Sequence, residues 1–175
     1  TDYVNNNTPL ADVPISLFDT PGFETMSDAN GEYSIGGLTP GDEIFIQLQD
    51  SMDYWGGIRP YWVGTADDPN VELSQISAAF IDVQRQLLLD EDPNIVVEET
   101  KAIIIVRVLQ NSATGAEITL EPAPAANSFY APGADGKPQL GSNIVSWSLL
   151  PVVVYFNVEA LPPGPQRVVA SNALG

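Results

Sequence analysis

The sequence predicts a mainly β protein in which two tandem β-sandwiches are joined by one amphipathic connecting helix. Short runs of alternating apolar and polar residues are separated by turn residues at intervals of about eight to twelve positions, which is typical of sandwiches. A motif of aromatic, β-branched, Leu and Pro-Gly residues occurs twice, as YSIGGLTPG (33–41) and FNVEALPPG (156–164). Between the two copies the apolar spacing changes to three or four, which indicates a helix.

Three strands are predicted in the first third of the chain. VPISLFD (13–19) places Val13, Ile15 and Leu17 on one face, and EIFIQLQ (43–49) does the same with its isoleucines and leucine. The third strand, GEYSIGGL (31–38), follows a DANG turn. Asn and Gly tolerate the left-handed backbone of a tight turn.

One helix is predicted from Val71 to Leu89. Asp68 is its expected N-cap, Pro69 stands in its first turn, and DEDP (90–93) ends the pattern. The apolar residues expected to form its stripe are Leu73, Ile76, Phe80, Val83 and Leu87.

The second half repeats the order of the first. AIIIVRVL (102–109) is predicted as a strand buried on both faces, and the turn chemistry of DANG returns at 133–142. Two further matches support a repeat: ADVPISL (11–17) corresponds to TGAEITL (114–120), and EIFIQLQ corresponds to PQRVVAS (165–171).

The composition of the 175-residue chain excludes several classes of function. Six Lys and Arg against 23 Asp and Glu give a net charge of −17, so the surface repels nucleic acid and anionic membranes and attracts cations or basic partners. Without Cys the chain has no disulfide and no thiolate. Without His it lacks the residue that most often binds metal ions and acts as a general base. No apolar run approaches the length of a membrane span, so we expect no membrane insertion.

The order PLADVPISL, SDANGEYSIGGLTPGD and then an alternating strand resembles the carboxypeptidase regulatory-like domain, a transthyretin-like or Ig-like β-sandwich. The resemblance covers roughly residues 1–50 and again 101–172, and it leaves the helix outside. It implies a non-catalytic accessory module of a secreted or cell-surface protein, with the periplasm as the other compatible compartment. The predicted domains are a first sandwich at 1–66, a helical connector at 67–99 and a second sandwich at 100–175.

The family's first strand precedes an Asp that is matched here by Asp2, so the resemblance implies that most of that strand lies outside this sequence. One interpretation is that its residues were lost or belong to an upstream domain. The other is that the exposed edge accepts a strand from another chain, as in a fibre or tube built by strand complementation.

The segment DYWGGIRPYW (53–62) is the candidate ligand-binding region. Aromatic faces beside polar groups can stack on sugar rings or receive a peptide, and rings that cover the core are the alternative. The candidate residues are Tyr54, Trp55, Arg59, Tyr61 and Trp62.

The candidate calcium site is SDANGE, which places Asp28, Asn30 and Glu32 at alternate positions. Ca²⁺ prefers such oxygen ligands, although a plain solvated turn explains the same residues. No cofactor is required by this interpretation.

The sequence argues against an enzyme, because Ser-His and Cys-His pairs cannot form and no Gly-rich phosphate loop links a strand to a helix. We expect a structural module whose partners are other copies of itself or neighbouring domains of a larger surface protein. The alternative is a carbohydrate- or peptide-binding accessory module.

Overall fold

A computed structural model of the chain describes residues 1–2, 7–109, 114–159 and 166–172. It is mainly β, with several antiparallel sheets and one helix. Its elements are β1 (Pro14–Leu17), β2 (Glu24–Met26), β3 (Glu43–Leu48), β4 (Tyr54–Trp55), β5 (Gly57–Trp62), β6 (Ile76–Ser77), α1 (Ala78–Glu91), β7 (Ala102–Arg107), β8 (Ala116–Glu121), β9 (Phe129–Pro132), β10 (Pro138–Leu140), β11 (Val152–Val158) and β12 (Arg167–Asn172).

The chain divides into two compact units, unit 1 (Thr1–Val83) and unit 2 (Gln84–Gly175). Unit 1 contains a four-stranded antiparallel sheet in the order β2-β1-β3-β5 and a short ribbon of β4 with β6. The alternation predicted for VPISLFD (13–19) and EIFIQLQ (43–49) is confirmed. Ile15, Leu17, Ile46 and Leu48 are buried together on one face, which we call the inner face of the sheet.

Unit 2 contains a four-stranded sheet in the order β10-β9-β11-β7 and a two-stranded sheet of β12 with β8. Its main core cluster combines buried residues of β8 with buried residues of β9 and β11, an arrangement consistent with a β-sandwich. The Tyr155 hydroxyl donates a 2.6 Å hydrogen bond to the Ile118 carbonyl oxygen and so links β11 to β8.

The two sequence matches between the halves extend to strand pairing. In unit 1, Ile15 is paired with Leu48 and Leu17 with Ile46. Their counterparts in the sequence alignment, Ile118 with Ala170 and Leu120 with Val168, are paired in the same way between β8 and β12. The second Leu-x-Pro-Gly motif falls in 160–165 and lies outside the described residues.

Two predictions for strands were wrong, and two strands were not predicted. The segment 31–38 forms no strand. β7 is not buried on both faces, since several of its residues are exposed, whereas β11 is the strand that is largely buried on both. The segment 53–62 forms β4 and β5, for which the sequence analysis predicted no strand.

The predicted helix also begins too early. α1 starts at Ala78, where the Ser77 hydroxyl oxygen accepts a 3.3 Å hydrogen bond from the Phe80 N–H and acts as the N-cap. Leu73 lies before the helix and packs in the unit 1 core, and Val83 is 56% exposed. The buried side chains of α1 are Ile81 and Leu88, so the predicted stripe was wrong in phase.

Candidate functional site

Unit 1 contains an open cavity of about 860 Å³, which we call the unit 1 cavity. Two segments without strand structure, 31–38 and 64–73, form its walls. Inward side chains of the main sheet form its floor, among them Ile15, Ile46 and Leu48. Its volume is within the range of ligand sites in proteins, about 300–1,000 Å³.

One wall of this cavity, residues 33–38, resembles a β-strand that has no neighbouring strand to pair with. Tyr33, Ile35 and Leu38 are half-buried and pack on the inner-face core, whereas Ser34 and Gly36 are exposed. Side chains that alternate between the two faces from 33 to 36 are typical of a strand, which the sequence predicted for 31–38. Within the described part of the chain, however, the backbone N–H and C=O groups of 33–38 make no hydrogen bond. We call residues 33–38 the unpaired segment.

Among the described residues, the charged side chains lining the cavity are all acidic: Glu32, Asp67, Asp68 and Glu72. The ammonium group of Thr1 also lines the cavity and donates a 2.7 Å hydrogen bond to the Leu73 carbonyl oxygen. Two of these carboxylates have local partners, since Asp68 accepts a 3.0 Å hydrogen bond from the Tyr61 hydroxyl and Glu72 accepts a 3.2 Å hydrogen bond from the Thr1 hydroxyl. The Arg59 guanidinium donates to the backbone carbonyl oxygen of Glu72. The cavity therefore combines an apolar floor with a negatively charged lining.

The five predicted ligand-binding residues do not form one patch. Arg59 and Tyr61 are paired with Ile46 and Ile44 and share the inner face, where Tyr61 lines the cavity. Trp62 is paired with Glu43, points to the opposite, outer face, and is 66% exposed.

The other two residues lie on the β4–β6 ribbon. Tyr54 is paired with Ser77 and Trp55 with Ile76, and both side chains are half-buried. The Tyr54 hydroxyl donates a 3.0 Å hydrogen bond to the buried Asp2 carboxylate. This hydrogen bond of Tyr54 therefore lies within unit 1.

The outer face of the unit 1 sheet is the aromatic surface that the sequence analysis did not identify. Strand pairing places Phe45 opposite Pro60 and Gln47 opposite Ile58 on this face. Its large exposed apolar side chains are Met26, Phe45, Ile58 and Trp62. The alternation in EIFIQLQ, which assigns Phe45 to the face opposite the isoleucines, was the available signal for this surface.

All five tyrosines that the structure describes donate a hydrogen bond from their hydroxyl group. Their acceptors are the carbonyl oxygens of Val71 and Ile118 and the side chains of Asp2, Asp68 and Gln84. Burial raises the pKa of Tyr33 and Tyr155, and it raises the pKa of Tyr130 to about 12. The hydrogen bond to the neighbouring carboxylate raises the pKa of Tyr54 and Tyr61. At neutral pH these phenols are protonated donors.

The predicted calcium residues form a tight turn. The Asp28 carboxylate accepts hydrogen bonds from the Asn30 N–H at 2.8 Å and the Glu32 N–H at 2.9 Å. Gly31 closes the turn with φ of +75°, and a Cβ there would lie 3.0 Å from the Cβ of Pro9. In the part of the chain that the structure describes, no three or more Asp, Glu, His or Cys residues are grouped as they would be around a metal ion.

No helix of the described residues is long and apolar enough to cross a membrane. A scan against protein-family models found no match, and searches of curated proteins and of solved structures found none either.

Proposed function

We propose that the protein is a non-catalytic structural module of a secreted or cell-surface protein and the repeating subunit of an extracellular fibre or tube assembled by strand complementation. In such assembly an extended segment of one chain completes the β-structure of another. The observation that carries the proposal is the unpaired segment beside the unit 1 cavity.

Two free-energy costs of leaving the unit 1 cavity empty support this function. Shielding backbone N–H and C=O groups from water costs free energy when these groups have no hydrogen-bond partner. Apolar side chains beside an open cavity also lose part of the stabilisation that full burial gives, about 25 cal/mol per Å². A strand that enters the cavity from another chain removes both costs at once.

The chemistry of the described side chains supports a structural role over a catalytic one. The described tyrosine hydroxyls, whose pKa values are raised, each hold two parts of one unit together by donating a hydrogen bond. A raised pKa also keeps a phenol protonated and weakens it as a nucleophile. The resemblance to carboxypeptidase regulatory-like domains implies the same non-catalytic role.

Self-assembly has to overcome the charge of the chain. Copies that each carry a net charge of −17 repel one another, and the repulsion is screened over about 10 Å at 0.1 M salt. We therefore expect assembly to be favoured by higher salt and by divalent cations such as Ca²⁺.

The test is the oligomeric state of the purified chain, measured by light scattering and negative-stain microscopy at low and high salt, with and without millimolar Ca²⁺. Open-ended polymers that grow with ionic strength are the expected result. A monomer under every condition, at concentrations up to the solubility limit, would overturn the proposal of a self-assembling subunit.

A second candidate function is a carbohydrate- or peptide-binding accessory module, and the exposure of Trp62 on the outer face favours it. An exposed indole can stack on a sugar ring, and the cross-strand neighbour Glu43 can accept hydrogen bonds from sugar hydroxyls. Affinity electrophoresis against a set of polysaccharides tests it. Trp62→Ala should abolish any retardation and the half-buried Trp55→Ala should leave it unchanged, whereas equal loss in both would reject the outer face as the site.

A further inference from the structure

The repeat identifies what kind of neighbour the unpaired segment lacks. Tyr33 and Ile35 align with Phe156 and Val158 of β11. In unit 2 both of these residues have backbone partners, since the Phe156 N–H donates to the Ser128 carbonyl oxygen and Val158 is paired with Ala102. The strand that flanks β11 on the side of Ala102 is β7.

β7 has a simple chemical character. Ile104 and Val106 pack against one core cluster and Ile103 against another, so successive side chains alternate between the two sides of the strand. Lys101 and Arg107 stand at the ends of this apolar stretch, and residues 101–109 contain no acidic residue. The strand is thus apolar in its middle and positively charged at its ends.

The unit 1 cavity is complementary to such a strand. Its floor is apolar, and the charged side chains in its lining are acidic: Glu32, Asp67, Asp68 and Glu72. These four carboxylates outnumber the one positive group of the lining, the Thr1 ammonium. Opposite charges across an interface favour the correct partner and speed its association. The unpaired backbone of 33–38 supplies the hydrogen-bonding groups that an added strand requires.

From these observations we infer that the unit 1 cavity is the binding site for an extended peptide segment with the chemistry of β7, an alternating apolar strand with a basic residue at each end. The inference rests on the proposed function, because it names the partner of the same site. The incoming strand pairs with the unpaired segment and directs alternate side chains towards Ile15 and Ile46.

The test uses the full chain and a fluorescently labelled synthetic peptide of residues 101–109, titrated by fluorescence anisotropy at low salt. A peptide with Lys101→Glu and Arg107→Glu is the matched control. We expect the charge-reversed peptide to bind about tenfold more weakly or worse, and the difference to shrink as salt screens the charges. Equal binding of the two peptides would overturn the inference.

Two proline variants place the peptide in the unit 1 cavity rather than in unit 2. Ser34→Pro and Ile35→Pro each remove one backbone N–H that has no acceptor in the described part of the chain. Successive N–H groups of an extended segment point to opposite sides, so one of the two faces the incoming strand. We expect one variant to lose about tenfold or more in affinity, and unchanged binding in both would reject the site.

Hydrogen exchange of the unsubstituted chain tests the site without any risk of misfolding. Adding the peptide should protect the amides within 33–38 from exchange and leave those of β3 unchanged. Protection confined to unit 2 would show that the peptide binds unit 2 and would overturn the inference. The results also separate the two proposals. Peptide binding without polymers retains the site and rejects self-assembly, and polymers that form with no peptide binding retain assembly and reject this site.

Discussion

Unit 2 closes its core between two sheets, whereas unit 1 covers the core face of one sheet with segments that form no strand. In unit 2, Ile118 and Val153 are completely buried and Tyr155 is nearly so. In unit 1 the corresponding side of the sheet borders a cavity of about 860 Å³. The difference shows that an inward apolar pattern positions side chains in both units, but a strand forms only where a second backbone is available to pair with it.

The largest expected effect is a difference between two aligned isoleucines. Ile118→Ala should lower the free energy of unfolding of unit 2 by about 4 kcal/mol, because its neighbours on both sheets enclose the space left behind. Ile15→Ala should cost unit 1 about 2 kcal/mol, since Ile15 already borders the cavity and has fewer atoms to lose contact with. Hydrogen exchange read separately over β3 and β11 in increasing denaturant measures each unit.

Wild-type protein and the milder pair Ile15→Val and Ile118→Val serve as controls for this comparison. Equal losses in the free energy of unfolding for the two alanine variants would mean that the core of unit 1 is as well enclosed as that of unit 2. That result would contradict the proposed difference between the units.

A smaller effect is expected from Tyr130, which is 5% exposed in unit 2 and donates a 3.1 Å hydrogen bond to Gln84. Burial raises its pKa to about 12, against 10.0 for an ordinary tyrosine. Between these values the unfolded chain releases a proton that the folded chain keeps. The titration of Tyr130 should therefore leave the free energy of unfolding independent of pH below pH 10 and lower it between pH 10 and pH 12, by about 1.4 kcal/mol per pH unit.

Urea unfolding of unit 2 between pH 9 and pH 11.5 measures this loss. Tyr130→Phe has no proton to release, so part of the slope should disappear, at a cost of about 1 kcal/mol at neutral pH for the lost hydrogen bond. The same slope in the variant and the wild type would show that Tyr130 is not the group responsible.

The smallest effect compares the two turns that share Asp-Gly chemistry. Asp28 accepts two backbone hydrogen bonds in unit 1, whereas Asp135 accepts one, from the Lys137 N–H at 3.1 Å in unit 2. We expect Asp28→Ala to cost about 1.5 kcal/mol and Asp135→Ala about 0.7 kcal/mol, measured by thermal unfolding. The reverse order would contradict the hydrogen bonding described.

The same melting curves test the predicted calcium residues. Millimolar Ca²⁺ that raises the melting temperature of the wild type, but not that of Asp28→Ala, would assign a cation site to Asp28, Asn30 and Glu32. A shift of equal size in both proteins would indicate general screening of the net charge of −17.

Much of the mainly β fold could be predicted, because the inner faces of β1, β3 and β8 follow from a period of two. The segment 31–38 also packs Tyr33, Ile35 and Leu38 against the core of unit 1. The prediction of a strand there was wrong because strand pairing depends on a backbone that is distant in the sequence, which local sequence does not encode. The predicted start of the helix was wrong because Asp68 forms a local turn instead of an N-cap. Its carboxylate accepts a 3.0 Å hydrogen bond from the Asn70 N–H.

The candidate site was less predictable than the fold. The sequence identified the aromatic residues of 54–62 but could not show that β5 sends Tyr61 and Trp62 to opposite faces, because no strand was predicted there. The unit 1 cavity has no local sequence signal at all, since its walls and floor come from segments far apart in the chain.

The identical pairing of β1 with β3 and of β8 with β12 survives very different connections. Residues 18–42 link the first pair and 122–166 the second. The register is therefore the same in both pairs although the intervening chain differs in length. For protein engineering, the exposed turns within these connections are places to insert a foreign epitope or an affinity tag, because lengthening them leaves the alignment of the underlying strands intact.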